Sequence, residues 1–187
     1  MAEASTVATD ADARQSYSAV AKAFHWTIVV LIAVMLYGGW TVEDLPREER
    51  LGVMQLHSGI GLVILVLMAA RLAWRIGHPA PALPSGLPRW QVIASKATHH
   101  GLYFFVILQP LLGLAGSMTS KFNLQAFGIL GLQIAPAPAI HGPAEFLHGL
   151  NAYIIAALVT LHILAALYHQ FVRHDNVLKR MLPFVKA

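Results

Sequence analysis

The sequence predicts an all-α protein, a four-helix transmembrane bundle with both termini in the cytoplasm, and three observations carry that expectation. Of its 187 residues 57% are hydrophobic and only 12% are charged, against about 25% charged in an ordinary soluble domain. Four apolar stretches, roughly Phe24 to Val42, Val53 to Trp74, Gly101 to Met118 and Phe146 to Val172, each come near or exceed the about 18 residues that cross hydrocarbon as a helix. The basic residues are unevenly shared between the two sides. Arg14, Lys22, Arg71, Arg75, Arg89, Lys96, Arg173, Lys179, Arg180 and Lys186 fall on one side, Arg47, Arg50 and Lys121 on the other, and ten against three assigns the first side to the cytoplasm. A multi-pass membrane protein fits this pattern, and the net charge of +4 is a topology signal. A nucleic-acid role has no basic, aromatic-studded surface to support it.

Taken in order, residues 1–16 are rich in Ala, Thr, Glu and Asp, have little to bury and are expected to form a disordered tail. Residues 17–187 are expected to form one domain. The first span runs about 19 residues and is followed by Glu43 and Asp44 instead of a small-residue cleavage site, so it reads as a retained helix and not a signal peptide. A short charged loop, Glu43 to Arg50, leads to the second span, which ends in Arg71 to Arg75. Pro79, Pro81, Pro84 and Pro88 stiffen the middle loop into an extended strap, with Trp90 at the interface. Pro110 and Gly113 should kink or loosen the third span, as neighbouring helices allow in a membrane. The connection from Thr119 to Glu145 carries so many apolar residues that it is expected to lie on the membrane surface or over the end of the bundle.

The chain has ten histidines and no cysteine, which excludes disulfides, thiolate-held iron–sulfur clusters and cysteine-bound zinc. Several of the histidines sit inside the apolar spans, where an imidazole is costly unless something binds it. His148 and His162 are fourteen residues apart. That is about 21 Å along a helix, and 14 residues at about 100° each come within about 40° of whole turns, so both rings leave one face at two depths. Helix direction then matches His25 with His162 toward the cytoplasm and His57 with His148 toward the outside. Two trans pairs of imidazoles at two depths are what two bis-histidine haems need, one axial nitrogen on each side of each iron. Ser58, Gly59, Gly61, Gly149, Ala165 and Ala166 supply small side chains for the macrocycle slots. Any one of these histidines taken alone is as readily a hydrogen-bonding group between helices. Arg71, fourteen residues from His57, reads either as a counter-ion for a haem propionate or as a snorkelling positive-inside arginine.

Lys96, His99, His100 and His169 form a second group near the cytoplasmic interface. His169 is seven residues past His162, about 10 Å further along and too far to bind the same iron. A quinone headgroup needs a donor to each carbonyl and a proton path, and Lys96, with His99 or His100, and His169 supply both. The bland alternative for them is interfacial solvation. His78, His141 and His174 are expected in loops, exposed to solvent.

The residues resemble the bacterial cytochrome b-561 family of four-helix dihaem membrane proteins, and within it the superoxide oxidase type. The likeness rests on Tyr17-Ser18, His25-Trp26, His57 with Ile60 to Arg71, and His99 with Tyr103, Pro110 and Gly113. It continues through His148, Leu161-His162, His169, Asp175-Asn176, Leu178 and Arg180 to Pro183, and so covers Tyr17 to Pro183. It implies that His25, His57, His148 and His162 ligate two haems b and that His99 and His169 belong to a ubiquinone site. The implied reaction takes an electron from superoxide at the periplasmic face and reduces ubiquinone near the cytoplasm. Lys121, Arg47 and Arg50 are the candidates for attracting superoxide, opposed by Glu43, Asp44, Glu48, Glu49 and Glu145. A different class of function fits the same residues: a membrane anchor and electron conduit joining a partner dehydrogenase to the quinone pool. A third reading is a histidine-based metal transporter or sensor.

Overall fold

A computed structural model describes residues 16–84, 86–175 and 177–184. Four long helices make the molecule: α1 (Ala19–Thr41), α2 (Arg47–Gly77), α3 (Arg89–Thr119) and α4 (Pro138–Phe171). All four are long and apolar enough to cross a membrane. Their starts are written in local chemistry. Ser18 caps α1, its hydroxyl oxygen accepting the Ala21 N–H at 3.3 Å, which satisfies one of the helix's free amides. Pro46 and Pro88 precede α2 and α3, and Pro138 opens α4, positions where a missing N–H costs nothing. Glu48 and Glu49 in the first turn of α2 and Arg75 in its last complement the helix dipole.

Each helix begins before its apolar stretch does, α3 most of all, at Arg89 and not near Gly101. Hydropathy marks only the part of a helix that lies in hydrocarbon, whereas backbone hydrogen bonding continues through the interface, where Lys96 and His99 are tolerated. Pro110 sits inside a continuous α3.

Helices α1 with α2, α2 with α3 and α3 with α4 pack closely, while α1 and α4 do not. A small core of Ile28, Ile64, Met68, Val106 and Ile155 joins the four. Much of the remaining apolar surface, including Val66, Phe104 and Tyr153, faces outward, as hydrocarbon-facing side chains do.

The first and last described segments of the chain meet at one end of the bundle, the terminal end. The Tyr17 N–H donates to the Arg180 carbonyl at 3.2 Å, the Ser16 hydroxyl to the same oxygen at 3.3 Å, and the Trp26 indole N–H to the Met181 carbonyl at 2.8 Å. Arg180 also donates to Ala82 at 2.6 Å, tying the proline-rich strap to the C-terminal segment. Of the tail expected over residues 1–16, positions 1–15 lie outside the described residues.

At the opposite, distal end the connection from α3 to α4 forms a two-stranded antiparallel hairpin, β1 (Gln125–Ala126) with β2 (Leu130–Gly131), pairing Gln125 with Gly131 and Ala126 with Leu130. Phe127 and Gly128 turn it with positive φ of 53° and 73°. The hairpin lies back on α2: the Phe127 N–H donates to the Gln55 carbonyl at 2.9 Å and Ala126 is fully buried. His141 corrects one expectation. It is in α4 and not in a loop, half-buried, with Nδ1 3.0 Å from the Gly116 carbonyl oxygen, because α4 begins at Pro138, well before its apolar run.

Candidate functional site

Two pairs of histidines span the gaps between helices that are not neighbours in packing. His25 of α1 and His162 of α4 have ring centres 6.2 Å apart with planes at 70°. His57 of α2 and His148 of α4 have ring centres 6.1 Å apart with planes at 66°. All four rings are half-buried. The first pair lies at the terminal end and the second at the distal end, so α4 contributes one ring at each depth.

These separations test whether haem fits. An imidazole nitrogen lies about 2.0 Å from a bound transition metal and about 1.1 Å from its own ring centre, so two rings on opposite sides of one iron are about 6.2 Å apart, centre to centre. Both pairs meet that spacing. His99 also approaches His162, but at 5.2 Å the two rings are about 1 Å too close to share an iron between them. Among the described residues no group of three or more His, Asp or Glu converges as a metal ion would need.

The supporting shell is most developed around His148. Its Nδ1 donates to the Gln109 carbonyl at 3.0 Å, which fixes the tautomer and leaves the Nε2 lone pair free for a metal. The Gln109 amide donates to the His148 carbonyl at 3.1 Å. Asn151, 4% exposed, donates to the Gln109 side-chain oxygen at 2.6 Å and to the Phe105 carbonyl at 2.9 Å. A Cβ on Gly113 would stand 3.0 Å from His148 Cε1, and one on Gly39 would stand 3.3 Å from His57 Cε1. Each ring therefore packs against a glycine of the adjoining helix, more closely than most Cβ atoms approach a neighbour.

At the terminal end an Arg71 guanidinium nitrogen lies 3.3 Å from His25 Nδ1. His99 donates from Nδ1 to the Ser95 carbonyl at 2.7 Å. His169 turns toward the C-terminal segment, its Nδ1 2.6 Å from Asp175 Oδ2; Arg173 stands 3.7 Å from the same oxygen and the Val177 N–H donates to Oδ1 at 3.2 Å. Among the described residues no hydrogen bond or ring contact joins Lys96 or His99 to His169. At the distal end the Arg50 guanidinium is tied to the Leu45 and Glu43 carbonyls at 2.8 and 2.6 Å, and Arg47 and Lys121 are exposed.

Comparison with known proteins decides the family. The family described as prokaryotic cytochrome b561 matches residues 16–184. The chain belongs to that family. It is 27% identical over 176 residues to cytochrome b561 homolog 2 of Escherichia coli (strain K12), covering 90% of this chain and 92% of that one. It is 27% identical over 174 residues to the probable superoxide oxidase CybB of Yersinia pestis, covering 90% and 97%. It is 31% identical over 174 residues to cytochrome b562 of Cereibacter sphaeroides, covering 89% and 94%. As a prokaryotic cytochrome b561 the protein is a haem-binding, electron-transfer protein passing several times through the bacterial inner membrane.

Some of the site residues of this cytochrome escaped the sequence reading. Gln109 and Asn151 look like ordinary polar residues within apolar helices, and the only signal was their rarity there, since a buried amide in hydrocarbon needs a partner. Asp175 lies outside the spans, six residues beyond His169, and only the fold-back of the C-terminal segment brings the two together.

Proposed function

We propose that this cytochrome b561 holds two haems b, one between His25 and His162 and one between His57 and His148. It passes electrons from superoxide at the periplasmic face to ubiquinone on the cytoplasmic side. The observation that carries this reading is the pair of cross-bundle imidazole spacings, 6.2 and 6.1 Å, at two depths of one helix. Haem b supplies a one-electron carrier at each depth. The side chains do the rest.

Two superoxide anions lose one electron each and leave as dioxygen, while ubiquinone gains both electrons and two protons to become the quinol. At the distal end the chain has no bond to break; its task is to attract an anion, and Lys121, Arg47 and Arg50 are the cations there. We place the terminal end in the cytoplasm, a placement that ten basic residues against three support, and there the quinone needs protons. Lys96, His99 and His169 are the donors we assign to it. His169, held at Nδ1 by Asp175, presents Nε2 to a carbonyl in one fixed orientation.

Stopped-flow mixing of the purified dihaem protein with superoxide tests the reaction. Reduction of the b-type spectrum much faster than spontaneous dismutation, followed by reoxidation on adding a ubiquinone analogue, is expected. Absence of haem reduction by superoxide would transfer the donor role to a partner dehydrogenase.

A further inference from the structure

Beside the His25–His162 pair lies a cavity of about 550 Å³ that the histidine geometry leaves unexplained. Its walls come from the entry to α1 at residues 16–18, the last turns of α2 and the strap at residues 77–82, closed by Tyr103 and Met181. Two arginines line it. Arg71 lies over the Tyr103 ring at 5.3 Å and Arg75 over the Tyr17 ring at 5.9 Å. The aromatic faces hold the guanidiniums in place without neutralising them. No Asp or Glu lines the cavity, and among the described residues neither arginine has a carboxylate within ion-pair distance. The indole N–H of Trp74, in the same wall, is buried with no acceptor. Two cations and an idle donor in a partly enclosed site at the end of membrane helices are costly unless an anion joins them.

The contact between Arg71 and His25 says which anion. A guanidinium has only donors, so at 3.3 Å it uses His25 Nδ1 as an acceptor. A histidine that gives Nε2 to iron keeps its proton on Nδ1, and then Arg71 has lost its partner. An anion that arrives together with the iron restores one.

We propose that this cavity receives the two carboxylate arms of the haem held at the His25–His162 pair, with Arg71 and Arg75 as their counter-ions. The inference rests on that pair holding haem. Two propionates meet two guanidiniums, each able to bind a carboxylate through two parallel hydrogen bonds. The phosphate of an acidic phospholipid has the same chemistry, but Arg71 is already in reach of the axial ligand, which favours the cofactor's own arms. The strap, tied to Arg180 through Ala82, then forms the outer wall of a propionate chamber.

The test is a cycle crossing Arg75→Gln and Arg71→Gln with esterification of the haem. The purified protein is reconstituted with haem b or its dimethyl ester, and loss of each haem to apomyoglobin is followed spectrally, the haem at His57 and His148 serving as internal reference. Each variant should lose the native haem from the His25–His162 pair about tenfold faster than wild type. The diester should leave wild type and variant at equal rates, and Arg75→Lys, which keeps the charge, should fall between. Wild-type rates in both glutamine variants, or equal acceleration of native haem and diester, would overturn the proposal. So would a difference that appears only when phosphatidylglycerol is added, which would assign the arginines to lipid phosphate. Failure of the underlying reading looks different: the haem whose release the glutamine variants accelerate would survive both His25→Ala and His162→Ala.

Discussion

The Nδ1 of His148 lies 3.0 Å from the backbone oxygen of Gln109, so the main chain of α3 fixes the tautomer of a ring carried by α4. The Gln109 side chain returns the contact to the His148 carbonyl, and Asn151 holds that side chain in turn. This knot is the polar seam between the two helices at the depth of the distal pair. Asn151→Leu leaves the Gln109 oxygen without its donor in a buried site, a loss of about 1–3 kcal/mol. The expected outcome is a lower melting temperature and weakened haem at His57 and His148, with the other haem retained, measured by haem-to-protein ratio and thermal unfolding.

Gly113 and Gly39 make a graded test of the two glycine contacts. An alanine Cβ at Gly113 meets His148 Cε1 at 3.0 Å and Nδ1 at 3.2 Å, and moving the ring aside would strain its hydrogen bond to the Gln109 carbonyl. At Gly39 the nearest atom, His57 Cε1, is 3.3 Å away, and no hydrogen bond pins that ring among the described residues. Gly113→Ala should cost about 1–3 kcal/mol of haem binding by overpacking and Gly39→Ala clearly less. Haem titration of the two apoproteins compares them.

The pairing of axial ligands is tested by stoichiometry. His57→Ala and His148→Ala should each yield protein with one haem, and His25→Ala and His162→Ala should each yield protein with the other, identified by its distinct absorption and potential. Any member of one pair giving the remaining haem of the opposite pair would break the assignment. Because the 5.2 Å approach of His99 to His162 is too close to hold an iron between them, His99→Ala should keep both haems.

Most of this arrangement was legible in the sequence, and the reason is geometric. Fourteen residues separate His148 from His162, and on a helix that number fixes both depth and face; helix direction then matches His25 to His162 and His57 to His148, although His99 also reaches the depth of His162. The helix count followed from hydropathy for the same reason, that hydrocarbon admits few alternatives. What was not legible depends on contacts between segments with no periodicity. Asp175 meets His169 only because the chain reverses after α4; Arg71 and Arg75 share a helix face by their spacing of four, but the cavity they line forms only where the strap meets residues 16–18 and Met181. His141 was misplaced because its surroundings, rich in Pro and Gly, read as a loop although Pro138 begins a helix. Lys96, His99 and His169 were placed together by depth, and the azimuth that depth does not give comes from the structure: His99 turns toward His162 and His169 toward Asp175.

The hairpin between α3 and α4 depends on one glycine of α2. A Cβ at Gly59 would stand 2.5 Å from the Phe127 ring, and Phe127 itself is held in a positive-φ conformation by the turn. Neither can yield easily. Gly59→Ala should lift the hairpin from α2, and faster hydrogen exchange across residues 121–134, with both haems still bound, is the expected readout.

The last prediction separates electron delivery from proton delivery. His169 and Asp175 are 2.6 Å apart, with the carboxylate steadied by the Val177 N–H and by Arg173, and His169 lies too far beyond His162 to touch the iron. Removing the ring should therefore leave the haems and their spectra intact while slowing any step that needs a proton at that place. Quinone reduction consumes two protons; reduction of ferricyanide consumes none. His169→Ala should slow reoxidation of the pre-reduced protein by a ubiquinone analogue by about tenfold to a hundredfold, within the range that positioned acid–base groups contribute, and leave reoxidation by ferricyanide unchanged. Asp175→Asn keeps an oxygen that can accept the Nδ1 hydrogen bond and hold the ring in place, so it should give a smaller slowing with the same selectivity for quinone. Equal slowing with both acceptors would place the defect in electron transfer, and unchanged rates with quinone would move the quinone site away from His169.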